Sequence, residues 1–352
     1  MNLFFVRPTL SNIGNLLISH ATKEIFSEVF GKTANIVSIP ALKGPDAGGL
    51  GAGPIYDMNR MADAVVVGGG NLFENGQLSC NHLAIDSLRP PLLLMGLPHG
   101  RITGRSGTRE NRTDSLPPET IRHLVRRSIV TLVRDVASRE ILAGFGLTTR
   151  VGGCPTLFLP ANPATQPTTP EILISIRHPM RMCVPPPLQW RTAEDLRRII
   201  GVLRAEYALP VRLVCHHYLD LEFAAAFPEA SPVYFEDVNL YMEALRRCTL
   251  HVSYRLHGFL PCLAFGTHSI HLSYDERGRS MLETVGMGEW DVDLLREPDC
   301  VKAVLQRARS VEHYRRERAI ALQKIGDYRR ITIESLQKLK EQGEAAAAAR
   351  QA

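Results

Sequence analysis

The sequence predicts an α/β protein built from two doubly wound domains that face each other across a cleft. Three observations lead to this prediction. Short apolar runs alternate with helical patterns in the first half of the chain, a proline-rich stretch interrupts them, and the same alternation then restarts. Apolar strands that alternate with helices are typical of a parallel sheet covered on both faces. Each half is long enough to bury its own core.

In the first half, five apolar runs are predicted to be buried strands. A helix is predicted over 14–30, where apolar residues recur on one side at helical spacing. A second helix, ASREILAGFG, follows the fifth strand. The predicted strands are NLFFVR (2–7), ANIVSIP (34–40), ADAVVVGGG (62–70), PPLLLMGLP (90–98) and SIVTLVRD (128–135).

The composition changes at TLFLPANPATQPTTP, whose four prolines predict an extended linker and a domain boundary. We therefore expect an N-terminal domain over 1–160 and a C-terminal domain over 170–296. The strands predicted for the second domain are EILISIR (171–177), VRLVCHH (211–217), PVYFED (232–237), LHVSYR (250–255) and HSIHLSY (268–274).

The last part of the chain, residues 297–342, is a basic helical region with an apolar stripe. The periodicity favours a helix that packs back on the sheets, and binding to a membrane surface is the alternative. The stripe consists of Val311, Tyr314, Ala321, Ile325, Tyr328, Leu336 and Leu339. Residues 343–352 are of low complexity and are expected to be a flexible tail.

The net charge and the cysteine content limit the classes of protein to which this chain can belong. The net charge of +5 is spread along the chain, whereas a nucleic-acid binder usually concentrates Lys and Arg on one face. It suits an anionic small molecule or weak attraction to an anionic membrane. The seven cysteines contain no CxxC pair, which argues against a disulfide framework and a zinc knuckle. With no apolar segment of signal-peptide or membrane-helix length, we expect a cytoplasmic protein, with contact to the inner face of the membrane left open.

The motif Ser253-Tyr254-Arg255-Leu256-His257-Gly258 marks the first candidate site. It lies where a predicted strand ends and a helix begins, which is where open α/β sheets bind ligands. The helix N-terminus offers N–H groups to an anion, and Arg255 adds a permanent charge. His257 supplies a group that titrates near neutral pH. The alternative is an ordinary Arg and His in a loop.

Two glycine-rich stretches invite different interpretations. In VVVGGGNLFE, Gly68, Gly69 and Gly70 follow a buried strand, so the backbone is expected to approach a ligand closely there. Asn71, which follows them, can add a hydrogen bond to that ligand. The sequence GGLGAG (48–53) lacks a clear following helix and is interpreted as a flexible loop.

Arg134 is the third candidate, because it also lies at a predicted strand end. Asp135 or Ser138 is suited to cap the next helix, so Arg134 is expected to point into the same cleft as Arg255. The adjacent His216 and His217 are predicted not to share a metal ion, because neighbours on a strand face opposite sides. Paired-carboxylate, GxSxG and P-loop motifs are missing from the sequence.

Taken together, these segments resemble the polysaccharide pyruvyl transferase family. The matching pieces run in family order over residues 10–290. They are NIGNLLI, VVGGGNLFE, LVRDVASREIL, ISIR, SYRLHGFLPCLAFG and IHLSYDERGRSMLETVGM. Three positions depart from the family pattern: Asn15 replaces a frequent Asp, Cys154 replaces an acidic residue, and Arg277 stands for a Lys.

The resemblance implies a GT-B-like arrangement of two Rossmann-like domains, with the acceptor on the N-terminal and the donor on the C-terminal side. It implies phosphoenolpyruvate as donor and a cyclic pyruvate ketal on two hydroxyls of one sugar. We expect no cofactor or tightly bound metal, because arginines and helix N–H groups can meet the donor's charge and the sequence shows no ligand cluster. His257 is the implied general acid, and Arg134 and Arg255 bind the donor. Asn15, Arg277 and the residues 68–71 are expected to complete substrate binding.

The acceptor implied is a cell-surface polysaccharide or its lipid-linked precursor. A glycosyltransferase that uses a nucleotide sugar on the same scaffold is the alternative, because fold does not fix function. A third hypothesis is that the protein is a catalytically inactive scaffold in glycan assembly. If His257 is not the proton donor, His178 is the next candidate, since it lies at the end of a predicted strand.

Overall fold

The computed structural model describes residues 1–42, 48–102, 108, 110, 112–161 and 170–351. Within them the chain forms two six-stranded sheets, and every strand pairs in parallel with its neighbours. The ten predicted strands are confirmed, with ends that shift by no more than three residues. The fold class predicted from the sequence is therefore confirmed.

The first sheet has the strand order β2-β1-β3-β4-β5-β6. Its strands are β1 (Asn2–Arg7), β2 (Asn35–Pro40), β3 (Ala64–Gly68), β4 (Leu92–Leu97), β5 (Val130–Val133) and β6 (Arg150–Val151). Its helices are α1 (Ile13–Phe30), α2 (Ala52–Met61), α3 (His82–Asp86), α4 (Pro118–Arg127) and α5 (Val136–Gly144).

The second sheet has the order β12-β11-β10-β7-β8-β9. Its strands are β7 (Ile172–Ile176), β8 (Val211–Cys215), β9 (Ser231–Tyr234), β10 (Leu250–Ser253), β11 (Ser269–Ser273) and β12 (Asp291–Asp293). Its helices are α6 (Pro186–Tyr207), α7 (Leu219–Ala224), α8 (Val238–Arg247), α9 (Leu256–Phe265), α10 (Glu276–Val285), α11 (Cys300–Arg309) and the start of α12 (Val311–Gln351).

Strands this apolar are stable because both faces of each sheet are covered. In β1, Phe4 and Val6 face one buried cluster, and Leu3 and Phe5 face another. The β6 and β12 strands were not predicted, because two or three residues are too few to show a hydrophobic period.

Two predicted loops are packed more firmly than expected. The GGLGAG segment is not a flexible loop: Gly51 is the N-cap of α2, and Gly49 has φ +58°. A Cβ on Gly49 would lie 2.5 Å from the carbonyl oxygen of Ala41, so the glycine permits a close backbone approach. The expected linker begins as a buried 3₁₀ turn over Pro155–Phe158, and its residues 162–169 lie outside the described residues.

Helix α12 lies across both domains. Near its start, Tyr314 and Ala321 are buried in the core of the second domain. Near its end, Leu336 and Leu339 pack with the β1 face that contains Leu3 and Phe5. The apolar stripe thus covers protein, as the periodicity favoured.

The segment 343–352, expected to be a flexible tail, continues this helix to Gln351. Arg350 donates to the carbonyl oxygen of Ala62 at 2.7 Å and pairs with Asp63, which fixes the last turns against the first domain. None of the described helices is both long enough and apolar enough to cross a membrane.

The position of α12 predicts that Leu336→Ala destabilises the protein by about 2–5 kcal/mol, because it leaves a cavity beside β1. Urea unfolding would measure the loss. Lys338→Ala, at an exposed position of the same helix, is the matched control and should change the free energy of unfolding by less than about 0.5 kcal/mol. Equal effects of the two variants would mean that the helix does not stabilise the first domain.

Candidate active site between the two domains

A cavity of about 510 Å³ lies between the carboxyl ends of the two sheets. The topology explains its lining, since parallel strands deliver the residues that follow them to one edge. From the first domain come residues after β1, β3 and β5, and from the second come residues after β7, β8, β10 and β11. The lining includes seven residues expected from the sequence: Asn15, Gly70, Asn71, Arg134, Arg255, His257 and Arg277.

His257 lies among three arginines. Burial, as the largest cause, and the charges of Arg134, Arg277 and Arg255, in that order, together lower the pKa of its imidazole to about 3. Its Nε2 atom is buried and has no hydrogen-bond partner among the described residues. The structure therefore places Arg134, Arg255 and Arg277, all three of them expected substrate-binding residues, around His257.

Arg134 is held at the end of β5 by the residue that follows it. Its Nε donates to Asp135 at 3.2 Å, and its Nη1 lies 3.5 Å from the side-chain oxygen of Asn71. Asp135 also caps α5 by accepting from the Ser138 amide, as the sequence suggested. The Nη2 atom of Arg134 is buried with no partner in the described part of the chain. The protein thus leaves one nitrogen of this guanidinium without a hydrogen bond.

Arg255 is fixed by Asp220, a residue that the sequence did not single out. Asp220 is fully buried, pairs with Arg255, and accepts from the backbone amides of His178 and His217 at 3.2 and 3.1 Å. The Nε of Arg255 donates to the carbonyl oxygen of Ile176 at 2.9 Å. Asp220 therefore orients the arginine of the motif, while the amides of His178 and His217 hold Asp220.

Arg277 joins the domains through Glu74, the other residue that the sequence analysis missed. Glu74 belongs to the first domain, is fully buried, and lies 3.2 Å from Nη1 of Arg277. It also accepts from the amide of Gly100 at 2.6 Å. Burial raises the pKa of this carboxyl, against the effect of Arg277. Asp275 holds the opposite side of Arg277 through Nε at 2.8 Å.

The glycine run corrects one expectation. Gly70 lines the cavity, but Gly68 and Gly69 do not. A Cβ on Gly68 would lie 2.7 Å from the carbonyl oxygen of Met95, and one on Gly69 would lie 2.5 Å from Cγ2 of Ile18. These two glycines are therefore required by packing against β4 and α1 rather than by a ligand.

The other amide candidates line the cavity. Asn15 donates to the carbonyl oxygen of Thr9 at 2.8 Å, which fixes the chain between β1 and α1. Asn71 lies beside Arg134, and Asn75 and Gln77 continue this lining. The first-domain side of the cavity is thus rich in amide groups, which donate and accept hydrogen bonds without charge.

The histidines outside the motif make hydrogen bonds to other groups of the protein. His178 does not line the cavity; its Nδ1 accepts from the amide of Met180 and caps a 3₁₀ turn. His216 and His217 both line it, because they lie beyond the end of β8. Nε2 of His216 contacts the hydroxyls of Ser175 and Tyr241, both at 3.1 Å. Among the described residues there is no cluster of three or more His, Cys, Asp or Glu side chains suited to a metal.

Polar contacts close the two domains around the cavity. The amide of Ile13, at the start of α1, donates to the carbonyl oxygen of His216 at 3.1 Å. Arg101 of the first domain pairs with Glu276 of the second at 2.7 Å. The amide of Val136 donates to the hydroxyl of Thr284 at 3.0 Å. The site is therefore assembled from both domains.

The sequence model of the family described as polysaccharide pyruvyl transferase matches residues 12–276 of the chain. The match includes the segments that contain Arg134, Arg255 and His257. Comparison with curated proteins gives no match.

Several solved structures share the two-domain GT-B-like architecture. The UDP-GlcNAc 2-epimerase of Methanocaldococcus jannaschii has a TM-score of 0.57 and 12% identity, over 88% of this chain and 93% of that one. The UDP-GlcNAc 2-epimerase of Neisseria meningitidis has a TM-score of 0.57 and 13% identity, over 96% and 100%. The glycosyltransferase VinC has a TM-score of 0.52 and 12% identity, over 98% and 100%. At such identities the likeness shows the fold alone.

The buried histidines predict that acid destabilises the free protein. Burial lowers the pKa values of His257 and His251 to about 3 and of His268 to about 4, whereas the unfolded chain titrates near 6.5. Between these values the unfolded chain binds more protons, so the free energy of unfolding should fall as pH drops from about 7 to about 4. Urea unfolding across this range measures the slope.

The variant His251→Asn provides the control for this slope, because it removes one titrating group that contacts Ser175 and Ser269. We expect a shallower dependence on pH than in the wild type. An identical slope in both proteins would assign the acid sensitivity to other groups.

Proposed function

Because the chain belongs to the polysaccharide pyruvyl transferase family, we propose that it transfers the enolpyruvyl group of phosphoenolpyruvate to two hydroxyls of one sugar. The product is a cyclic pyruvate ketal, and phosphate is released. The acceptor is a cell-surface polysaccharide or its lipid-linked precursor, and the reaction takes place in the cytoplasm or at the inner face of the membrane. The observation that carries the proposal is the group of Arg134, Arg255 and Arg277 around His257 in one interdomain cavity.

The charges of the cavity suit this donor. Phosphoenolpyruvate carries a carboxylate and a phosphate, and guanidinium groups bind both as two-pronged donors. Arg134 offers a buried Nη2 that has no partner among the described residues. Arg255 and Arg277 are already oriented by carboxylates, so little side-chain entropy is lost when a ligand binds. These features support donor binding beside His257.

Proton transfer from His257 starts the proposed reaction. The imidazolium gives its proton to C3 of the donor, which makes C2 electrophilic. One sugar hydroxyl adds to C2 and loses its proton, and a tetrahedral phosphate ester results. The C–O bond to phosphate then breaks, and the second hydroxyl adds to C2 and closes the ring. Of the two hydroxyl protons, one returns to His257 and the other leaves on the phosphate.

The protonation state of His257 depends on the donor. In the free protein, burial and three arginines keep its pKa near 3, so the imidazole is neutral at physiological pH. A bound trianion offsets the charge of those arginines and favours the imidazolium. Binding of the donor is therefore coupled to protonation of His257. In the absence of the donor, His257 stays neutral and cannot act as an acid.

We propose that the acceptor sugar lies against the first domain. The amide side chains of Asn15, Asn71, Asn75 and Gln77 line that side of the cavity. Amides match sugar hydroxyls, which both donate and accept hydrogen bonds. Gly70, the one glycine of its run that lines the cavity, supplies backbone close to this position. The donor is assigned to the second domain, which provides Arg255, His257 and Arg277.

Release of phosphate separates this function from nucleotide-sugar glycosyl transfer. Incubation with phosphoenolpyruvate and a panel of glycosides should release inorganic phosphate and add about 70 Da to one glycoside, the mass of the condensed pyruvyl group. Glycosyl transfer from a nucleotide sugar, without phosphoenolpyruvate consumption, would replace the proposal. Turnover of neither donor would favour a scaffold.

His257→Gln should reduce kcat by about 10²–10⁴-fold while the affinity for phosphoenolpyruvate falls much less, because glutamine cannot deliver the proton. The wild-type kcat should fall as pH rises through the pKa of His257 in the complex, and this limb should vanish in the variant. Steady-state rates from pH 5 to 9 measure both. Near-normal turnover with an unchanged pH profile would assign the proton to another group.

Arg134→Ala and Arg255→Ala should each raise the KM for phosphoenolpyruvate by roughly tenfold or more, because each removes a charge-assisted contact to the donor. The matched controls are Arg126→Ala and Arg197→Ala, at exposed positions of the same two domains outside the cavity. An increase in KM that is equal in variants and controls would reflect net charge alone and contradict the assigned roles.

A further inference from the structure

His216 lines the cavity at the boundary between the two domains, and the proposed reaction does not use it. It follows β8 in the second domain, and its backbone carbonyl accepts from the amide of Ile13 in the first domain at 3.1 Å. A Cβ on Gly14 would lie 3.6 Å from Nδ1 of His216 and 3.1 Å from Cβ of His257. The imidazole of His216 therefore lies close to the proposed general acid and to the start of α1, where Asn15 lines the acceptor side.

The two ring nitrogens of His216 have different surroundings. Nε2 lies 3.1 Å from the hydroxyl oxygens of Ser175 and Tyr241, both of which are buried in the second domain. Nδ1 makes no hydrogen bond within the described residues, and unlike Nε2 of His257 it is not enclosed by them. Nδ1 is therefore the nitrogen that His216 presents to the cavity.

The hydroxyl of Tyr241 determines which nitrogen of His216 carries the hydrogen. This hydroxyl lies 3.3 Å from the carbonyl oxygen of His257, which can only accept. Both contacts of Tyr241 are hydrogen bonds only if its hydroxyl donates to this carbonyl and accepts from Nε2 of His216. Without a hydrogen on Nε2, the contact between His216 and Tyr241 would bring two lone pairs together.

The next contacts in the second domain fit the same assignment. Ser175 can donate to Nε2 of His251 at 2.9 Å, which leaves its oxygen free to accept from Nε2 of His216. Nδ1 of His251 then donates to the hydroxyl of Ser269 at 3.1 Å. Burial is the main cause that lowers the pKa of His216 well below its usual range and the pKa of His251 to about 3. Each imidazole is therefore neutral, and His216 carries its one hydrogen on Nε2.

An unprotonated nitrogen differs from the charged groups of the same cavity. Arg134, Arg255 and Arg277 only donate hydrogen bonds, which suits the oxygens of phosphoenolpyruvate. The fully ionised donor has no N–H or O–H hydrogen to offer to Nδ1 of His216. A sugar hydroxyl has one. Nδ1 therefore matches the acceptor rather than the donor.

The charge of His257 keeps His216 neutral when the donor is bound. A charge on His257 is among the causes that lower the pKa of His216. When His257 takes up its proton with the donor, it disfavours a second proton on the neighbouring imidazole. The two histidines then have opposite capacities, since His257 can give a hydrogen and Nδ1 of His216 can accept a hydrogen bond.

We propose that Nδ1 of His216 binds the sugar hydroxyl that adds to C2 of the donor, and that Tyr241 and Ser175 hold His216 in the tautomer that this contact requires. The assignment rests on the proposed function, because it concerns a hydroxyl of the acceptor. The hydrogen bond directs the hydroxyl hydrogen toward His216 and leaves an oxygen lone pair free to attack C2. His216 contacts the substrate in this arrangement, and Tyr241 and Ser175 are positioning residues.

Steady-state rates with the glycoside that accepts the pyruvyl group test the contact. His216→Gln keeps a donor toward Ser175 and Tyr241 but has no acceptor at the position of Nδ1. We expect kcat/KM for the glycoside to fall by about tenfold or more, while the KM for phosphoenolpyruvate changes by less than about twofold. His216→Asn, whose amide oxygen can replace Nδ1, should restore part of the loss.

The matched control is His268→Gln, at a buried histidine of the same domain that does not line the cavity. It should leave kcat/KM for the glycoside and the KM for phosphoenolpyruvate unchanged. Equal losses in His216→Gln and His268→Gln would overturn the contact. A KM for phosphoenolpyruvate that rises in His216→Gln as much as the KM for the glycoside would overturn it too.

Deoxy forms of the same glycoside identify the hydroxyl. Competitive inhibition constants measure their affinity for the wild type and for His216→Gln. For one position, loss of the hydroxyl should weaken binding to the wild type by about tenfold and have little effect in His216→Gln, because the partner of that hydroxyl is already missing. Independent effects of the substitution and of the missing hydroxyl at every position of the sugar would contradict the assignment.

Nitrogen-15 NMR of histidine-labelled protein tests the tautomer without any substrate. The wild type should carry the hydrogen of His216 on Nε2, with the signals assigned by their loss in His216→Gln or His216→Asn. Tyr241→Phe should admit the other tautomer and lower kcat/KM for the glycoside less than His216→Gln does. A hydrogen on Nδ1 of the wild type would overturn the role of His216 alone. Failure of every glycoside to react with phosphoenolpyruvate would instead overturn the proposed function, and the role of His216 with it.

Discussion

The repulsion between three buried guanidinium groups is the constraint on which the rest of this structure depends. Arg134, Arg255 and Arg277 all act on one imidazole, so they lie around one cavity, and their side chains are largely buried. Like charges in such surroundings are stable only when opposite charges hold them. The chain therefore places a buried carboxylate behind each arginine, and one of these, Glu74, reaches across from the opposite domain.

This arrangement links catalysis to domain closure. Because Glu74 and Arg277 belong to different domains, opening the cleft would break the ion pair between this buried carboxylate and Arg277. Helix α1 adds a second link, since Ile13 and Leu17 pack against the second domain while Phe26 packs in the first. The closed arrangement is thus held by groups that also shape the site.

Hydrophobic patterns in the sequence predicted the strands and the residues that follow them, because both depend on residues that are close together in the chain. Apolar runs sufficed for ten strands, and the positions of Arg134 and Arg255 followed from the strands before them. The partners of the arginines were not predictable in this way. Asp220 precedes Arg255 by 35 residues, and Glu74 precedes Arg277 by 203. The role of Gly68 and Gly69 could not be predicted either. Met95 and Ile18, rather than a ligand, occupy the space that a Cβ on these two glycines would need.

The long helix α12 has a consequence for how the protein is made. The face of β1 that contains Leu3 and Phe5 is synthesised before the second domain, but Leu336 and Leu339, which cover it, are synthesised after that domain. Domains generally fold in the order of their synthesis, and uncovered apolar surface promotes aggregation. One face of the sheet in the first domain therefore stays incompletely covered until the second domain and α12 have been translated. Helix α12 thus links completion of the first domain to synthesis of the second, and a chain interrupted before α12 would expose apolar surface to chaperones and proteases.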